Sequence, residues 1–192
     1  MKKILVEVSA RHVHLSQDAI EKLFGDGHEL HPIMDLSQPG QYACEEKIVL
    51  KTAKGELSLR VLGPARSKSQ VEISMTEARK LGIKTEIRDS GDLAGTAGGL
   101  LVGPNGTCEI KEGVIIAKRH IHMHPSDAEY YGVKDGDIVN VKLDTNGRSL
   151  IFGDTLIRVS KKYALAMHID TDESNAANIG NDKIYGEIIK NI

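Results

Sequence analysis

An internal repeat constrains this chain more than any other feature. Arg11-His12-Val13-His14-Leu15 returns as Arg119-His120-Ile121-His122-Met123, 108 residues later, with every position identical or an apolar swap. Each pentamer follows a β-type run and precedes a short helical stretch. A weaker echo sets Val71-Glu72-Ile73 against Met167-His168-Ile169 at an offset of 96. An extra loop in the first copy absorbs the difference between the two offsets. Self-similarity of this kind marks one structural unit made twice. The 192 residues are therefore read as two similar small domains, each carrying one His-x-His.

The local patterns make those domains mainly β. Short branched-apolar runs lie at 4–8, 47–51, 56–62, 70–74, 114–117, 137–143, 149–152, 155–159, 164–169 and 184–189. Ala53-Lys54-Gly55 closes one hairpin, and Asn146-Gly147 is a type I′ turn signal. Helices are short. Ser16 caps 17–24 before Gly25, Thr76 is the expected cap of 77–81, and Asp172 of 173–178. Pro125 takes a first helical position, with His124 at the cap. Many short strands with glycine turns predict small β-barrels capped by short α-helices rather than an open parallel sheet. The stretch 89–104 holds Gly91, Gly95, Gly98, Gly99 and Gly103 and little periodicity, which predicts a linker or mobile loop.

Composition narrows the function. Lys plus Arg number 25 against 27 Asp plus Glu, so neither a general nucleic-acid binder nor a polybasic membrane surface is expected. With aromatics at 4% and no Trp, a base-stacking platform is not expected either. No apolar run approaches the roughly 18 residues of a membrane span. Two cysteines, Cys44 and Cys108, exclude a disulfide framework and suit a reducing compartment. Residues 4–8 read as a strand rather than a signal peptide, so a cytoplasmic protein is expected.

Chemistry concentrates on the histidines. Side chains two apart on a strand share a face, so His12 with His14, and His120 with His122, can each grip one metal ion. Neutral imidazole is a good zinc donor, and a catalytic zinc takes about three protein ligands. The echo offers Glu72 and His168 as third ligands; both also fit solvent-facing positions on alternating strands. His28, His31 and His124 are weaker candidates, and the two cysteines read as buried apolar residues. Arg11 and Arg119 point away from the histidines. Arg66 follows the Gly63-Pro64 turn, six residues before Glu72, and its planar fork suits a phosphate or carboxylate oxyanion.

Four ordered motifs carry a family resemblance. They are Arg11-His12-Val13-His14-Leu15-Ser16, Gly63-Pro64-Ala65-Arg66 leading to Gln70-Val71-Glu72, Arg119-His120-Ile121-His122-Met123, and Met167-His168-Ile169-Asp170. Together they resemble the PduL-type phosphotransacylases, the phosphate propanoyltransferase family. The resemblance implies two β-barrels, one from residues 1–10 with 118–192 and one from 11–117. It implies two zinc ions in a cleft, one held by His12, His14 and Glu72 and one by His120, His122 and His168, with Arg66 engaging phosphate. It implies interconversion of acyl-CoA plus phosphate with acyl phosphate plus coenzyme A, for a short acyl group such as acetyl or propanoyl. The residues before His12 are expected to be needed as a strand, so no microcompartment-targeting helix is expected there. A zinc-dependent hydrolase of a thioester and a non-catalytic metal-binding module are the alternatives, and a homo-oligomer is open.

Overall fold

The computed structural model describes residues 2–180 and 182–189. In chain order the elements begin with β1 (Ile4–Val8), β2 (His12–His14), α1 (Gln17–Phe24), β3 (Pro32–Asp35), β4 (Tyr42–Thr52), β5 (Gly55–Gly63), β6 (Gln70–Glu72), α2 (Met75–Leu81) and β7 (Ile87–Arg88). They continue with β8 (Ala97–Val102), β9 (Thr107–Ala117), β10 (His120–Met123), α3 (Pro125–Tyr131), β11 (Ile138–Leu143), β12 (Leu150–Val159), β13 (Ala166–Ile169), α4 (Thr171–Ala176) and β14 (Ile184–Ile189). The protein is mainly β, with two closed six-stranded barrels and four short helices among the described residues.

The chain divides into two units. One takes Met1–Ser9, Ser37–Pro39 and Lys118–Ile192, and its barrel runs β1-β13-β10-β12-β11-β14. Gln38 belongs to it because its amide Nε2 donates to Ala164 O at 3.0 Å. The other takes Ala10–Leu36 and Gly40–Ala117. Its ring closes through β4-β5-β2-β6-β9-β8, since β8 pairs with both β4 and β9. The two rings match strand for strand. β2 runs parallel to β5 and antiparallel to β6, as β10 does to β12 and β13. β1 lies parallel to β13 as β9 lies parallel to β6. Each of these last strands leads directly into the His-x-His strand of the other unit.

Alternation explains the two cores. Val13, Leu59, Val61, Val71 and Val114 are completely buried in one barrel. Ile4, Ile121, Ile157 and Met167 are completely buried in the other. Their alternate neighbours, the histidines among them, therefore lie on the opposite face of each sheet.

The segment 89–104 is not a linker. Its second half is β8, which closes a barrel. Gly98 and Gly99 hide the strand from a propensity reading, and close packing requires them. A Cβ on Gly98 would sit 2.2 Å from Ile110 O, and one on Gly99 2.6 Å from Leu50 Cδ1. Two helix starts also move two residues upstream. Ser74 rather than Thr76 caps α2, and Asp170 rather than Asp172 caps α4. Each forms a reciprocal capping box with a glutamate three residues on, Glu77 and Glu173, which satisfies two orphan N–H groups at once. Runs 149–152 and 155–159 are one strand, bent at Asp154 with φ +49°.

Candidate active site

Strand register assembles two side-chain triads, one on each barrel. His12 lies opposite Glu72 across β2 and β6, and His120 lies opposite His168 across β10 and β13. His14 and His122 sit two residues further along the same strands. Donor atoms of His12, His14 and Glu72 lie within 4.8 Å of one another, as do those of His120, His122 and His168. His12, His14, His120 and His122 are all buried.

Both triads are oriented by the same surrounding contacts. His12 Nδ1 is 2.8 Å from Ala10 O, and His120 Nδ1 is 2.8 Å from Lys118 O. A backbone carbonyl two residues upstream thus fixes each ring, the usual way a ligating histidine is held. Glu72 Oε1 accepts from Gln70 Nε2 and Ser90 Oγ, and Oε2 is 3.5 Å from His12 Nε2. His168 Nδ1 is 3.8 Å from Glu7 Oε2, its strand neighbour on β1. Arg11 Nη1 reaches Glu77 Oε1 at 2.8 Å, and Arg119 Nε reaches Glu173 Oε1 at 3.0 Å. Each arginine that opens a repeat therefore clamps the capping-box glutamate of the helix following the third triad residue.

Electrostatics keeps the second histidine of each pair neutral. Burial, with His12 and Arg66 beside it, lowers the pKa of His14 to about 3. Burial, with His120, His168 and Arg158 nearby, lowers His122 to about 2. Burial disfavours an imidazolium, and adjacent positive charge disfavours it further. Neutral imidazole is the form that ligates metal. Among the described residues, His14 Nδ1 and His122 Nδ1 are buried with no hydrogen-bond partner. Unpartnered buried nitrogens are costly, and two of them in three-donor clusters fit a metal ion at each triad.

Arg66 completes one site. Its backbone N–H donates to Leu15 O at 2.8 Å, and its Nη2 lies 2.8 Å from His14 Nε2. A guanidinium can only donate, so Nε2 is the nitrogen of His14 that carries the lone pair, and Arg66 stands directly at the donor cluster.

The weaker candidates have other partners. His28 Nε2 and His31 Nδ1 lie 2.9 and 2.7 Å from Glu46 Oε1, a third cluster of potential donors that ties the loop after α1 to β4. His124 caps α3 by accepting from Ser126 N–H. Cys44 and Cys108 are free and buried, and burial pushes the Cys44 thiol up to about 11. Reading the sequence met Gln70 only within a motif and gave no part to Glu7, Ser90, Arg158 and Tyr163, all of which neighbour the triads. The offset of 96 that links Glu72 to His168 also links Ser74 to Asp170 and Glu77 to Glu173, which would have located both capping boxes.

Fold and site define a class, a double β-barrel protein with a duplicated three-donor, histidine-rich site. The phosphate propanoyltransferase family model matches residues 5–180. Phosphate propanoyltransferases similar to the chain include one from Thermotoga maritima, 56% identical over 95% of this chain and 88% of that protein. Another, from Listeria monocytogenes, is 49% identical over 96% and 86%, and one from Salmonella typhimurium is 48% identical over 98% and 90%. The chain belongs to the phosphate propanoyltransferase family and is an acyltransferase.

Proposed function

We propose that the protein is a zinc-dependent phosphotransacylase, which converts a short-chain acyl-CoA and phosphate into acyl phosphate and coenzyme A, and the reverse. The observation that carries this reading is the placement of Arg66 Nη2 against a buried, neutral histidine of a three-donor cluster. His12, His14 and Glu72 would hold one zinc, and His120, His122 and His168 the other. Zinc so held supplies Lewis acidity toward a thioester and its leaving sulfur.

The chain's own groups account for the rest. Arg66 binds phosphate through its planar fork and brings a weak nucleophile into line, which is where much of the rate gain arises. A phosphate oxygen bonds to the thioester carbonyl carbon, and the carbon–sulfur bond breaks. The proton of hydrogenphosphate ends on the coenzyme A thiol, so the protein supplies no net proton. The fixed positive charge of Arg66 stabilises negative charge as it develops. The acyl group passes directly to phosphate, so no serine or cysteine nucleophile is required. Both cysteines are free, which suits the cytoplasm.

The deciding experiment incubates the zinc-loaded protein with acetyl- or propanoyl-CoA, with and without phosphate. Phosphate-dependent thiol release with acyl phosphate as product supports the reading. Thiol release without phosphate makes the protein a thioester hydrolase and overturns it.

A further inference from the structure

Glu46 is a carboxylate on the core side of a strand. Along β4, Cys44, Glu46, Ile48 and Leu50 are buried while Glu45 and Lys47 are exposed. A charge at such a position is costly unless it is paired. Among the described residues no lysine or arginine pairs with it. Its partners are two histidines from the loop after α1. His28 Nε2 lies 2.9 Å and His31 Nδ1 2.7 Å from the same oxygen, Oε1. The His31 N–H nitrogen lies 3.2 Å from both carboxylate oxygens. Burial pushes the Glu46 carboxyl up, but hydrogen bonds from His31, its own N–H and His28 bring it down overall, so it is ionised.

The loop holds its donors in place. His28 N–H donates to Gly25 O at 3.2 Å, and His31 O accepts from Glu45 N–H at 2.8 Å. The His28 ring stacks on Phe24 with centroids 4.9 Å apart. Two imidazole nitrogens and a carboxylate oxygen lie within 4.8 Å of one another, the same donor set as His12, His14 and Glu72. Ligands placed tetrahedrally at about 2.0–2.2 Å from zinc stand about 3.3–3.5 Å apart, so these groups need to part by about half an ångström. His31 can yield, because its side chain is 64% exposed. It stands at an open groove lined also by Phe24, Glu46, Val102 and Pro104, which leaves room for water as a further ligand. A hydrogen-bonded clasp is complete with one ring on Glu46; a metal ion needs the second.

We propose that His28, His31 and Glu46 form a third metal site, separate from both triads, which takes a divalent ion of the zinc class from solution and ties the loop after α1 to β4. The ion takes no part in acyl transfer. It stabilises the protein by binding the folded form. The site is weaker than the triads, since His31 is exposed and two hydrogen bonds to Glu46 give way. On binding, His28 Nε2 and His31 Nδ1 present lone pairs, and the proton each carried passes to the other ring nitrogen or to solvent.

The test uses zinc itself as the probe, on parent protein, H28A, H31A and H31D. Each is equilibrated with the same excess of free zinc, counted by elemental analysis and titrated calorimetrically. H31A removes an exposed side chain, so its fold is kept. The last ion taken up by the parent should be missing from H28A and H31A, or held at least about 10- to 100-fold more weakly, the scale on which even supporting contacts of a metal matter. That ion should raise the Tm of the parent and leave H31A unmoved. H31D separates a metal site from a clasp. An aspartate places an oxygen where His31 Nδ1 stands, so it keeps a ligand for zinc but repels Glu46 without one. H31D should therefore retain the last ion, with an affinity between those of parent and H31A. Equal zinc uptake by parent and H31A overturns the site. So does loss of the ion from H31D as complete as from H31A. The result is a difference of one ion between parent and variant, so it stands whether or not the triads hold zinc or the protein transfers acyl groups to phosphate.

Discussion

Replacing Arg66 with alanine separates catalysis from structure. The backbone at this position is anchored independently of the side chain, by Arg66 N–H to Leu15 O and the bridge between Ser16 and Arg66. Truncation should therefore leave the fold in place and shift stability only slightly. The functional cost should be large. Loss of one preorganised donor to a developing oxyanion costs on the order of 10²–10³ in rate, or about 2.7–4 kcal/mol. Metal retention is a second, independent readout. Arg66 stands beside His14 but belongs to neither donor triad, so its removal takes away no ligand. Zinc affinity should hold, while turnover collapses. The assay is phosphate-dependent release of coenzyme A thiol, followed by a thiol-reactive chromophore, alongside elemental analysis and competition with a zinc-binding dye. R66K should recover little, because a point charge lacks the two-pronged geometry. Near-parent kinetics, or zinc lost along with activity, would refute the reasoning.

Elemental analysis should give close to two zinc ions per chain, with H12A and H120A each removing one and abolishing turnover; full activity in strong chelator contradicts this. Metal-free protein should lose stability as pH falls below about 6.5, by up to about 1.4 kcal/mol per unit for each of His14 and His122. Both stay neutral when folded, so the unfolded chain takes up protons first; urea melts at pH 7.5 and 5.5 with equal midpoints would rule this out. E173A should cost about 1–2 kcal/mol by removing half of a capping box and the Arg119 pair, visible as a lower Tm. G98A should destabilise by about 1–3 kcal/mol because its methyl would press on Ile110 O; an unshifted melting curve would show that β8 yields.

The histidines were legible because repetition made them so. A pair of His-x-His motifs in matching contexts stands out, and the echo joining Glu72 to His168 follows from the same duplication. The family resemblance then named the class that the comparisons bear out. What stayed hidden depends on contacts between distant strands. Gly98 and Gly99 look like loop residues because their reason for being glycine lies across the sheet, in Ile110 and Leu50. Arg158 belongs to no motif, and only the register of β10 with β12 brings it to His122. The capping boxes were written in plain sequence, Ser74 to Glu77 and Asp170 to Glu173, but the helix starts were read from later residues.

The pairing of β1 with β13 and β14 bears on the order in which a nascent chain can fold. Every strand of the β2–β9 barrel lies between residues 12 and 117, so that barrel can close while the rest of the protein is still on the ribosome. β1 emerges earlier than all of them, yet its partners β13 and β14 are made last. Ile4 and Val6, buried in the finished molecule, stay uncovered until synthesis is nearly over. An unpaired apolar strand invites association with neighbouring chains. The window for misassembly is thus set by translation of residues 118–189, and slow codons there would lengthen it.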